Sequence, residues 1–161
     1  MHRAPCVRAW LAAALVAVAS ALTGCASTPQ ASPAHDAEAK KFNTHPGYSV
    51  IYVYRPDFDS SGAAHSDTVL YVGRRLIGAT LPQTYFRVDV EPGTHMLRGI
   101  GVDQGTLKPE TRSGEPVFVE LTVTGGVSTY RLVDAETGKQ AIRRCCVLLE
   151  NWAPGQRPLL R

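Results

Sequence analysis

The chain has 161 residues, 44% of them apolar and 19% charged, which bounds it to one ordinary globular domain with short flanking segments. Its formal charge is +3, but Arg3 and Arg8 lie in a first stretch of 25 residues that holds no acid. Outside that stretch fifteen bases face fourteen acids, and a near-neutral domain lacks the basic footprint that nucleic-acid binding needs.

Arg3 and Arg8 form a basic leader, and Ala9 to Leu22 is an uncharged apolar run of 14 residues. A membrane-spanning helix needs about 20, so the run fits the apolar core of an export signal. It ends in Leu22-Thr23-Gly24-Cys25, which resembles the bacterial lipoprotein signal, or lipobox. The resemblance implies that a diacylglycerol alkylates the Cys25 thiol, that the Gly24–Cys25 bond is cut, and that the new amino terminus is acylated. Small Thr23 and Gly24 would let the peptidase reach that bond. Two or more acyl chains anchor a protein stably without a spanning segment. Ala26 follows the cysteine where an Asp would retain an enterobacterial lipoprotein in the inner membrane. The resemblance therefore implies the outer membrane, on its periplasmic face.

Residues 1–24 are thus expected to be a signal helix that is removed. Residues 25–47 are expected to be the lipidated cysteine and a flexible tether. "ASTPQASPAHDAEAKKFNTHPG" is rich in Ala, Ser and Pro and has no sustained apolar period, although a short helical turn near Ala34–Lys41 is compatible with it. Such a tether would reach roughly 25 Å. His35 and His45 within it read as solvated residues.

From Tyr48 the pattern becomes that of strands. "YSVIYVYR" is β-branched and aromatic, and residues 67–80 read as a hairpin turning at Gly73-Arg74. In residues 84–90, Phe86, Val88 and Val90 alternate with Tyr85, Arg87 and Asp89. Pro92-Gly93 is a turn signal, with a strand from Thr94. Residues 102–115 read as a long surface loop and a candidate partner contact. Residues 116–133 form a hairpin about Gly125-Gly126, and a last strand is expected over Ala141–Leu149. No helical period is evident between residues 48 and 150. The expected fold is all-β, a small antiparallel β-sandwich or partly open barrel of roughly eight short strands over residues 48–150. A C-terminal tail, 151–161, follows.

The ordered motifs "IYVYRP", "VLYVGRRLIGAT", "YFRVDVEPGTHML" and a Val-Phe-Val-Glu-Leu-Thr-Val strand ending near Tyr130 resemble the bacterial family called domain of unknown function 2846. That resemblance covers about residues 48–134. It implies a β domain behind a lipoprotein signal and transfers no catalytic residue.

Few side chains invite chemistry. His95 reads as a half-buried histidine bonded to backbone near the Pro92-Gly93 turn, with a base or metal ligand as the sharper alternative. No metal-ligand spacing accompanies it. Ser128, His95 and Asp134 supply the residue types of a hydrolase triad without a nucleophile elbow. Arg55 could recognise an anionic group, or pair with Asp57 or Asp59. Once Cys6 leaves with the signal and Cys25 carries lipid, Cys145 and Cys146 are the remaining thiols. They read as one buried and one partly covered cysteine, as a vicinal disulfide with a redox role, or as an intermolecular bridge. On a regular strand they would face opposite ways, so a ring between them requires a local departure from it.

The functional expectation is a non-enzymatic lipoprotein with no cofactor beyond the lipid on Cys25. It would be anchored in a membrane and would meet an envelope protein or glycan, but not nucleic acid. A small-ligand or glycan binder and a redox protein using Cys145 and Cys146 are the alternatives.

Overall fold

The computed structural model describes residues 28–56, 68–100 and 103–151. The expected signal segment, with its expected cleavage site at Gly24–Cys25, and residues 152–161 of the expected tail lie outside them. In chain order the elements are α1 (Pro33–Ala39), β1 (Ser49–Arg55), β2 (Thr68–Val72), β3 (Arg75–Thr80), β4 (Thr84–Val90) and β5 (Gly93–Thr94). Then come β6 (Leu97–Arg98), β7 (Thr106–Leu107), β8 (Glu110–Thr111), β9 (Pro116–Thr124), β10 (Val127–Val133), α2 (Ala135–Cys145) and β11 (Val147–Leu148).

A five-stranded sheet runs β10-β9-β1-β4-β11, a four-stranded sheet β3-β2-β6-β7, and β5 pairs with β8. The all-β sandwich holds, and among the described residues none of these sheets closes into a barrel. The larger sheet is mixed: β1 is antiparallel to β4 with Ile51 opposite Val88, but parallel to β9 with Ile51 opposite Val117. β11 is also parallel to β4.

One face of the larger sheet carries Ile51, Val53, Phe86, Val88, Val119 and Leu121 onto Leu70, Val72, Ile77 and Leu97 of the smaller sheet. Its other face carries Val50, Tyr52, Tyr54, Tyr85 and Phe118 beneath Ala39, Phe42 and Ile142. Tyr52 stacks on Phe118 at 5.1 Å, and Phe42 meets both rings edge-on. The result is three layers, with helices on sheet on sheet. β1 and β4 are the middle layer and are buried along their whole length.

Both hairpins form where glycine permits a positive φ: Gly73 between β2 and β3 (φ 61°), Gly125-Gly126 between β9 and β10 (φ 59° and 80°). Four expectations are corrected. Residues 135–145 are helical, so the strand expected over Ala141–Leu149 shrinks to β11. Asp134 caps this helix by accepting from Thr137 N, Arg143 and Arg144 lie in its last turn, and Gly138 and Ile142 face the sheet. A Cβ on Gly138 would run into the Phe118 ring, so glycine lets the helix lie close.

The expected tether is also packed from Thr28 onward. Ser32 caps α1, Pro33 opens it, and Ala39 and Phe42 enter the core. Burying an aromatic ring there outweighs the freedom that Ala, Ser and Pro suggested. The region 102–115, expected as a loop, holds β7 and β8. Asn151, assigned to the tail, donates from Nδ2 to Arg87 O at 3.2 Å.

Candidate functional site

The β2–β3 turn and the segment after β4 border a shallow cleft of about 470 Å³, in which Val72 and Val90 lie beside Tyr48, Arg74, Arg75, Asp89, Glu91 and His95. β4 contributes Asp89 and Val90 to its lining, and alternation puts Asp89, like Arg87, on the helix-facing side. Arg87 Nη1 donates to Asp89 Oδ2 at 2.7 Å, and both side chains are nearly fully buried (3% and 4% exposed). Arg87 Nη2 also reaches Asn43 O, and Arg75 Nη1 donates to Asp89 O at 2.9 Å. Asp89 Oδ1 is buried with no hydrogen-bond partner among the described residues. Burial pushes the nearby Tyr52 phenol up to about 12, an effect that Arg87 partly offsets.

His95 lies at the cleft rim. Its Nε2 is 2.7 Å from Glu91 O, a carbonyl that can only accept, so Nε2 carries the proton. Its backbone N–H donates to Pro109 O. The residue therefore ties the turn after β4 to the segment before β8.

Arg55 is buried, with Nη1 donating to Thr80 O at 3.3 Å, so it is neither an exposed site for an anionic group nor a residue of the surface, where a pairing with Asp57 or Asp59 was expected to lie. The alternative partners Asp57 and Asp59 lie outside the described residues. The triad candidates are dispersed. Asp134 is a helix cap, and Ser128 belongs to a different buried network. Asp103 Oδ1 accepts from Ser128 N and Gly105 N, and Oδ2 accepts from Ser128 Oγ at 2.6 Å. Ser128 Oγ continues to Thr68, which meets Thr80. This network pins the β6–β7 connection under β10.

Cys145 and Cys146 form a vicinal disulfide. Cys145 is the last residue of α2, and Cys146 is already extended (φ −127°, ψ 145°). The helix-to-strand junction supplies the departure from a regular strand that the ring requires. Cys146 is buried and Cys145 half-buried, with Cys146 Sγ 3.9 Å from Arg55 O.

No protein-family model matches the chain, and no solved structure matches it. The resemblance to domain of unknown function 2846 therefore rests on the quoted motifs. An uncharacterized protein of Haemophilus influenzae is 30% identical over 138 residues, covering 82% of this chain and 80% of the relative. The chain belongs to that protein's family. The shared span is most of both chains, so the likeness is not confined to a single motif.

Sequence reasoning passed over Arg87, Asp89 and Asp103. The signal for the first two was an opposite-charge pair two residues apart on a strand with aromatic neighbours. For Asp103 it was the run of glycines at 99, 101 and 105. A Cβ on Gly99 would meet the Asp103 carboxylate, and one on Gly105 the Ser128 carbonyl. Chemically, the cleft is lined by guanidinium groups of Arg74 and Arg75 and by the carboxylate residues Asp89 and Glu91, which suits recognition of a polar group. The serine and aspartates that could serve hydrolysis are spent on structure.

Proposed function

We propose that this protein is a bacterial lipoprotein. Cys25 carries the lipid, and the three-layer β domain acts as a non-enzymatic binding module at the outer membrane, facing the periplasm. The observation that carries the reading is Leu22-Thr23-Gly24-Cys25 at the end of an apolar run behind Arg3 and Arg8. The Cys145–Cys146 disulfide supports it, because such bonds persist in oxidising compartments. The use of Ser128 and Asp134 as a network member and a helix cap supports a binding role over a hydrolytic one.

Replacing Cys25 with Ala and fractionating cells tests the anchor. The wild-type protein should sediment with membranes through salt and carbonate washes, and Cys25→Ala should become soluble or stay as the uncleaved precursor. Membrane retention of a processed Cys25→Ala protein would overturn the reading.

The cleft favours a second reading, a small-ligand or glycan binder. Arg74 is its test residue: saturable binding of an acidic glycan by the purified domain, lost in Arg74→Ala, would favour this reading. A protein captured by crosslinking in intact envelopes would favour the first.

A further inference from the structure

From Thr28, three residues after Cys25, the chain is docked, and it docks on both sheets at once. Thr28 is 2% exposed; its Oγ1 donates to Ala79 O and accepts from Ala79 N, both at 2.9 Å. Ala79 lies in β3, the edge of the four-stranded sheet. Two residues on, Gln30 bridges to Leu149, Ala31 N donates to Leu148 O, and Glu150 N donates to Pro29 O. Leu148 lies in β11, the edge of the five-stranded sheet. Residues 28–31 therefore clasp the β3 and β11 edges together. The opposite edge of the sandwich is made by β10 and β7, which touch each other.

We infer that the β3–β11 edge is a membrane-facing surface, held against phospholipid headgroups by a three-residue leash. The inference rests on lipidation of Cys25. Three residues span at most about 10 Å when extended, against the roughly 25 Å expected for a free tether. A charged and polar domain cannot follow acyl chains into the bilayer, so the docked arm sets both its standoff and its orientation. β10 lies four strand spacings from β11, about 19 Å further out. Partners meeting the domain from the periplasm therefore meet the β10–β7 side, and the lipid surface occupies the other.

The test uses single tryptophans in the mature, acylated protein with Trp152→Phe as background; Trp10 leaves with the signal. Gln30→Trp reports the clasped edge and Thr129→Trp, on exposed β10, the far edge. The proteins are reconstituted into phosphatidylcholine–phosphatidylglycerol vesicles containing phospholipid with a headgroup nitroxide. Quenching should be at least threefold stronger at position 30 than at 129. Equal quenching, or more at 129, would overturn the inference.

A twelve-residue Gly/Ser insertion between Ser27 and Thr28 leaves the clasp intact and should at least halve quenching at position 30. Unchanged quenching would overturn the leash as its cause. Mass spectrometry of the amino terminus keeps the two readings apart. Absence of the thioether-linked diacylglycerol would overturn the lipoprotein reading and this inference together. An acylated protein with symmetric quenching would overturn this inference alone.

Discussion

The five-stranded sheet is covered on both faces, by helices on one side and by the second sheet on the other. Among the described residues the four-stranded sheet is covered on one. β1 and β4 are accordingly buried at every residue, while β2 alternates between buried and half-buried positions. Tyr52 and Tyr71 are the same residue type on the two sheets. The first is fully buried against Phe118 and Phe42, and the second is half-buried beneath the Arg98 guanidinium. A strand with two covered faces must meet its polar groups internally, and on β4 only one oxygen of Asp89 is left without a partner among the described residues. A strand with one open face leaves that task to water.

The largest effect is expected where the helices meet the larger sheet. Phe118→Ala would remove the ring that Tyr52 stacks on and that Gly138 lies against. A loss of about 3–5 kcal/mol is expected, typical of deleting a buried aromatic ring. Urea denaturation reads it directly. A loss below about 1 kcal/mol would mean that the helical layer is not part of the cooperative core.

Next comes the buried ion pair. Arg87→Met leaves the Asp89 carboxylate without its charged partner in a nearly water-free site, and about 3 kcal/mol of destabilisation is expected. Adding Asp89→Leu to the same chain should recover at least half of it, because two apolar residues leave no buried charge behind. If the double variant is no better than the single one, the penalty comes from Arg87's other contacts, its bonds to Asn43 O and to Tyr52 among them, and not from the stranded carboxylate.

The contrast also explains what could be read from the residues. Hairpins were legible because glycine marks their turns, at Gly73 and Gly125-Gly126. The alternation of β4 was legible, but not what covers its second face, because Tyr85, Arg87 and Asp89 look like a solvated set until α1 and Phe42 lie over them. Helix α2 was hidden by Gly138, a poor helix former that proximity to Phe118 requires. Its Asp134 cap and terminal arginines were the readable signs. Residues 28–47 have the composition of a linker, yet Ser32-Pro33 is a helix start and Phe42 an anchor. Of the candidate site, His95 was foreseen in its backbone-bonded role. The Arg87–Asp89 pair and Asp103 were not, because their partners come from strands and loops distant in sequence.

Alkaline pH probes the covered faces more gently. Burial raises the phenols of Tyr52 and Tyr130 to about 12 and pushes those of Tyr54 and Tyr85 higher still. An ordinary tyrosine ionises near 10. A folded-state value above the unfolded one means that the stability is fully present below about pH 10 and is lost as pH rises toward 12. About 2 kcal/mol should disappear across that window on account of Tyr52 alone. The urea midpoint should fall from pH 9 to pH 11 while phenolate absorbance from these four rings stays absent until unfolding. Early, stepwise ionisation of most of the tyrosines in the folded protein would show that the covered face is open to water.

The smallest effect belongs to the open face. Arg98 lies 4.4 Å above the Tyr71 ring, and β6 pairs Arg98 with Tyr71 directly. Both side chains are half-exposed, so the cation–π contact acts in a water-screened setting and should contribute only about 0.5–1 kcal/mol. A double-mutant cycle with Tyr71→Leu and Arg98→Met isolates that coupling, since each replacement keeps an apolar stem over the sheet while removing the ring face or the charge. A coupling above about 2 kcal/mol would mean that this face is desolvated in the intact protein, as it would be beneath a partner. The two sheets would then be equally covered, and the outer face of β2 and β6 would be the place to look for what covers them.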